Sequence, residues 1–169
     1  MGMLRAGANI TGYELRGDFA NRATRNVTAF MGNEILERYD VQLRSSYDGI
    51  DGTDFDRVIL DLPEPWQVIP HASIALRPGG VFLAYTPSIT QVMKVNDALH
   101  FHGFTEIETT EVLNRTWHVE GQAVRPDHRM VAHTGFLTRA RRQASVPAVT
   151  EAGSTGNESA AEAPPQTLA

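Results

Sequence analysis

Val58-Ile59-Leu60 runs straight into Asp61, and Asp61 into Leu-Pro-Glu-Pro-Trp66. No other stretch narrows the possible folds so far. Three consecutive apolar residues without alternation fit a strand buried on both faces of a parallel α/β sheet, and in such sheets ligands bind beyond the carboxyl ends of the strands. Asp61 then stands where an α/β protein presents a working acid. The same carboxylate would also serve as the cap of a helix starting near Pro65, and the residues by themselves leave both roles open.

The flanking pattern agrees with an α/β protein. Asn9 to Glu14 reads as a strand ending in an acid, followed by a helix from about Asp18, its N-cap, with Phe19, Ala23, Val27 and Phe30 on one face. Gly32-Asn33 closes that helix, Val41-Gln-Leu43 is a short strand, and Ser45 to Thr53 is a polar loop. A helix over about 65–76 is stopped by Arg77-Pro-Gly-Gly80, and Val81 to Tyr85 gives the next strand. Ser88-Ile-Thr-Gln91 has the form of a capping box, with Val92, Val95 and Leu99 on one face of a helix reaching about His102. Phe104 to Val112 and Met130 to Ala140 are the last two strands. Alternating strands and helices predict a parallel sheet wound on both sides. From Gln143 on, the small and polar composition predicts a disordered tail, so the domain is residues 1–142 and the tail 143–169.

A chain of 169 residues with 41% hydrophobic content supports one domain with a true core. No apolar run approaches a membrane span, and no basic segment precedes an apolar one at the N-terminus, so a cytoplasmic protein is expected. With no cysteine and no paired histidine spacing, no metal site is predicted. The net charge of −5 is unevenly placed, because Glu151, Glu158 and Glu162 belong to the tail. Between Arg115 and Arg142 six arginines face two acids, a local balance of +4. Nucleic acid would dock there; equally, these arginines would form the solvated face of a strand pair.

Asp-Leu-Pro-Glu-Pro-Trp at 61–66, Gln91 in Ser-Ile-Thr-Gln, Arg125-Pro126, and His133-Thr134-Gly135-Phe136-Leu137 follow one another in an order and spacing that resemble the tRNA adenine-58 N1-methyltransferases. The likeness runs from about Leu4 to Arg142. It implies a Rossmann-like class I methyltransferase sheet with an antiparallel last strand, S-adenosylmethionine as cofactor, tRNA as substrate and assembly as a tetramer. The family's first strand and glycine-rich cofactor loop have no counterpart here. Leu4-Arg-Ala and Ile10-Thr-Gly-Tyr-Glu14 match the helix end and strand that follow that loop, as if the chain started one helix late or its start were misplaced. In the family's order the absent strand lies between the strand ending at Glu14 and the one ending at Asp61. Two facing edges without partners are therefore expected, which is hard to reconcile with a stable isolated monomer.

The resemblance also assigns roles. Glu14, closing the second strand of a doubly wound sheet, would accept both hydroxyls of a ribose, or else pair with Arg16 as a surface acid. Phe19 would flank the cofactor, or else sit in the core. Relatives present an acid to the adenine of the cofactor where this chain has Ser45-Ser46, whose hydroxyls still accept a bond. Asp61 is the expected catalytic and cofactor-binding acid. Trp66 would stack on a base or belong to the core. Arg125, Arg129, His133 and Thr134 are the candidates for holding RNA, with subunit contact as their other role. Methyl transfer to adenine N1 needs no base, because a ring lone pair attacks and the ring becomes cationic. Positioning and nearby negative charge matter most, and Asp61 offers both. The rigid prolines 63 and 65 suit such a site. Because N1 lies on the pairing edge, the base must leave its stack.

Two other functions stay open on sequence. One is a non-catalytic RNA-binding or structural subunit that has shed the cofactor site. The other is a nicotinamide-dependent enzyme, which would need a glycine-rich phosphate loop and explains residues 61–66 less well. Without the cofactor loop, the chain as given is expected to bind S-adenosylmethionine weakly and to be inactive.

Overall fold

The computed structural model describes residues 2–130 and 133–144. The tail expected to be disordered lies outside these residues from position 145 on. Its first residues continue the fold, because the Gln143 amide donates to the Gly103 carbonyl at 3.1 Å.

A short helix α1 (Gly2–Arg5) leads into β1 (Ile10–Tyr13), α2 (Gly17–Met31) and β2 (Tyr39–Gln42), and β1 pairs with β2 in parallel. Then come β3 (Phe55–Asp61), α3 (Ile69–Ala75), β4 (Leu76–Thr86), α4 (Ile89–Phe101) and β5 (Phe104–Glu111). A hairpin, β6 (Trp117–Glu120) and β7 (Ala123–Pro126), stands by itself, and β8 (Phe136–Arg142) ends the described fold. The main sheet has the order β3-β4-β8-β5, with β4 parallel to β3 and β8 antiparallel to both its neighbours. The α/β class and the antiparallel last strand expected from the sequence are present.

Several local expectations are corrected. β3 is buried on one face only: Val58 and Leu60 point into the core, whereas Ile59 is half exposed. The helix does end here, at Ala75, but residues 76–80 are strand: they extend β4 through a register shift against β3 between Phe55 and Arg57. The helix expected over 65–76 is a 3₁₀ turn at Pro65–Gln67 followed by α3. The Asp18 side chain does not cap α2, whose N-cap is Arg16; it lies in the first turn, where the positive helix end favours an acid. Of the expected apolar face of α2, Val27 is buried while Phe19 and Phe30 are exposed under Arg16 and Arg5. Residues 123–126 form the unforeseen hairpin strand β7, so Arg125 and His133 do not share a strand pair.

Two separate cores follow from this layout. In the larger, Val68, Ile69 and Ala72 around α3 and Val95 and Leu99 of α4 pack on Val58, Leu60, Phe82 and Ala140 of the sheet. Phe82 meets Phe104 edge to face at 5.7 Å. The smaller core is Leu4, Val27 and Ile35 beneath β1 and β2. Between the two halves, β1 and β3 run in the same sense and line common cavities without pairing. A cavity of about 300 Å³ lies at the Tyr13 and Asp61 ends, and one of about 570 Å³ lies at the Ile10 and Arg57 ends.

Candidate active site at the strand ends

Asp61 is the last residue of β3 and is exposed. It does not cap the following turn, because the N-cap position there is Glu64, with no side-chain cap bond. Pro63 and Pro65 lack amide hydrogens, so the turn is fastened from outside. The Glu64 amide donates to the Tyr47 hydroxyl at 3.2 Å, and Gln91 Nε2 donates to the Pro63 carbonyl at 2.9 Å. Trp66 is half buried against the larger core, and Lys94 Nζ lies 4.6 Å from its ring centroid. One face of that indole is therefore already occupied by a cation.

Beside Asp61, in register on β4, stands Tyr85. Its ring is 37% exposed and its hydroxyl donates to the Thr134 carbonyl at 2.6 Å. Gly135, at φ +146°, passes so close that a Cβ there would lie 2.3 Å from the ring. His133 completes this clasp, with Nδ1 2.9 Å from Glu111 Oε1 and Nε2 2.6 Å from the Pro87 carbonyl. Both partners are acceptors, so the ring satisfies them together only with a proton on each nitrogen. The Glu111 carboxylate, then the Pro87 carbonyl, accordingly hold the His133 pKa above its ordinary value. Tyr85 was missed in the sequence reading. Its signal was available, since an aromatic at the end of the strand following Val58–Asp61 falls opposite that acid in a parallel pair.

On the other side of the cleft, Glu14 directly follows β1, and its carboxylate accepts the Arg16 amide at 2.9 Å. It does not pair with the Arg16 guanidinium, which binds Asp18 at 2.7 Å, lowering the pKa of that acid, and lies 4.1 Å from the Phe19 ring centroid. Phe19 is neither in the core nor among the residues lining the Asp61 cavity. Ser46 lines that cavity with Thr11, Gly12, Tyr13 and Asp61, while Ser45 Oγ accepts the Tyr47 amide at 3.1 Å. Asp61 and Ser46 are thus brought to one cavity, with Glu14 next to its Tyr13 wall.

The basic segment divides. Arg139 and Arg141 pair with Glu108 and Glu106 across the sheet, and Arg142 donates to the Ser73 carbonyl. These three serve the fold, which reduces the expected nucleic-acid surface. Arg115 lies over Trp117, 5.6 Å from the ring centroid, and Arg125 sits on β7 with Arg129 just beyond it. The hairpin exposes Trp117, Val119 and Val124. Among the described residues no three acidic or histidine side chains converge to hold a metal, and no helix is long and apolar enough to cross a membrane.

Comparison with known proteins gives a consistent set. Residues 13–126 match the family described as tRNA methyltransferase complex GCD14 subunit. The tRNA (adenine(58)-N(1))-methyltransferase TrmI of Thermus thermophilus is 35% identical over 133 residues, covering 79% of this chain and 51% of the relative. The tRNA (adenine(57)-N(1)/adenine(58)-N(1))-methyltransferase TrmI of Methanocaldococcus jannaschii is 35% identical over 143 residues, covering 82% and 49%. Among solved structures, a SAM-dependent O-methyltransferase from Thermotoga maritima superposes with a TM-score of 0.70 at 32% identity, over 82% of this chain and 51% of that one. The chain spans about half the length of the curated relatives it matches.

Proposed function

Because the chain belongs to the family of tRNA methyltransferase complex GCD14 subunits, we propose that it takes part in methylating N1 of adenine 58 in tRNA, with Asp61 as the residue that orients the target base. The observation that carries this reading is Asp61 itself: an exposed carboxylate at the carboxyl end of a parallel strand, beside Tyr85 and on a cavity. The donor set suits S-adenosylmethionine in part. Glu14 would take the ribose hydroxyls and Ser45 and Ser46 the adenine edge, and the 300 Å³ cavity is at the small end of ligand sites. When bound, the cofactor would supply an electrophilic methyl group. The chain's own contribution is placement. Asp61 accepts a hydrogen bond from the exocyclic amino group of the target adenine, which fixes the ring and complements the positive charge it acquires. Arg125 and Arg129, with the clasp at His133 and Thr134, would hold the RNA near the strand ends. The exposed apolar hairpin suits a subunit contact in a cytoplasmic homotetramer, because a lone two-stranded ribbon is only marginally stable.

The test is 1-methyladenosine formation on a tRNA transcript. In a protein supplied with the family's first strand and cofactor loop ahead of residue 1, Asp61→Asn should keep the fold and lower the rate by roughly two to four orders of magnitude, the scale of losing one preorganised electrostatic contact. A near wild-type rate for that variant removes Asp61 from the mechanism. One observation favours a second reading, as a non-catalytic subunit: the Glu14 carboxylate is already bound to the Arg16 amide and Ser45 already caps a turn. A protein supplied with that loop that binds tRNA but still forms no 1-methyladenosine would support it.

A further inference from the structure

Gln91 occupies the last position of what reads as a capping box, where its side chain would return to the Ser88 amide. Half of that motif forms. Ser88 Oγ accepts the Thr90 amide at 3.3 Å and α4 begins at Ile89. The Gln91 side chain turns away, and its Nε2 donates to the Pro63 carbonyl, 28 positions back in the sequence. Its Oε1 is left buried without a hydrogen-bond partner among the described residues. A buried acceptor left unpaired is costly, and the side chain bears that cost, giving up the cap bond that Oε1 would accept, while it keeps the contact with Pro63.

The turn needs such a donor. With two prolines in Leu62–Pro65, few backbone amides are available to knit it, and the Glu64 amide goes to Tyr47. The same helix reaches the turn a second time through Lys94 over Trp66, three residues beyond Gln91. The glutamine amide at position 91 has both the length and the hydrogen for this contact. A glutamate there would cap α4 but would face the Pro63 carbonyl with an acceptor.

We infer that Gln91 is a positioning residue: its amide hydrogen fixes the Pro63 carbonyl and, through the rigid turn, the direction in which Asp61 presents its carboxylate. The consequence for catalysis rests on the role proposed for Asp61, whereas the brace itself is independent of it. Hydrogen exchange of the full chain separates the two. In Gln91→Glu and Gln91→Met, the amides of Glu64, Gln67 and Val68, which bond within or beside the turn, should exchange about tenfold faster, the loss of one net hydrogen bond, while Gln91→Glu keeps its melting temperature because the cap bond it gains offsets the contact it loses. Unchanged exchange in both variants overturns the inference. So does loss of the fold in both, which would make Gln91 a general structural residue. On tRNA, with the cofactor loop supplied, Gln91→Glu should lower kcat and leave KM unchanged. Faster exchange with no effect on methylation would retain the brace and count against the role of Asp61.

Discussion

Replacing Gly135 by alanine tests the clasp that holds Tyr85 beside Asp61. The backbone there, at φ +146°, is open to glycine and strained for any other residue, a cost of about 1–3 kcal/mol. The new methyl would also lie 2.3 Å from Tyr85 Cε2 and 2.5 Å from the hydroxyl oxygen, so the ring must swing away from the Thr134 carbonyl. That forfeits a hydrogen bond worth about 0.5–1.5 kcal/mol. Together the substitution should destabilise the four-stranded sheet by roughly 2–4 kcal/mol, measured by urea unfolding followed through Trp66 fluorescence. In a Tyr85→Ala background no ring is displaced, so Gly135→Ala should cost only the backbone part. The cycle should therefore show a coupling of about 1 kcal/mol. Equal costs in the two backgrounds would refute the clasp, and a Gly135→Ala protein as stable as wild type would refute the strain as well.

Two further outcomes follow from the site. His133 has a raised pKa in the folded state, so the clasp's contribution is complete below the ordinary histidine value of about 6.5 and is lost as pH rises through the raised value. An NMR titration should find His133 titrating above an ordinary histidine and returning towards it in Glu111→Gln; an unshifted wild-type value contradicts the arrangement. If Arg125 contacts a tRNA phosphate, Arg125→Ala should weaken tRNA binding and lessen the slope of log K against log salt by about 0.9, and an unchanged slope would place it elsewhere.

How far the sequence could be read depended on whether a signal was local. The strand from Val58 into Asp61, the helix of Val92, Val95 and Leu99, and the strand from Phe104 carried their signal within their own residues, and all three are present. Burial was misjudged where it depended on partners. Ile59 looked like core because its neighbours are apolar, yet it lines the cavities shared with β1 and stays half exposed, and Phe19 and Phe30 found arginines instead of a core. Of the site, Asp61 could be placed from its strand end, and Ser46 only through the family resemblance. Tyr85 required knowing that β4 pairs with β3, and the diversion of Gln91 from its cap to Pro63 required a contact between segments 28 residues apart. The split of the arginines was out of reach for the same reason, because Glu106 and Glu108 face Arg141 and Arg139 only across a sheet.

The cleft between β1 and β3 bears on how the molecule comes apart. A core of Leu4, Val27 and Ile35 is small, and it is separated from the larger one by two strands that do not exchange hydrogen bonds. Tyr13 reaches the other side, its hydroxyl accepting the Asp51 amide at 2.8 Å. Cooperativity requires that losing one part cost the other something, and here little is shared. This layout predicts that the segment from α1 to β2 opens as a unit while α3, α4 and the four-stranded sheet persist, which native-state hydrogen exchange would read. Whatever extended backbone pairs with both free edges would couple the two, turning independent openings into a single all-or-none transition and stabilising both by mass action.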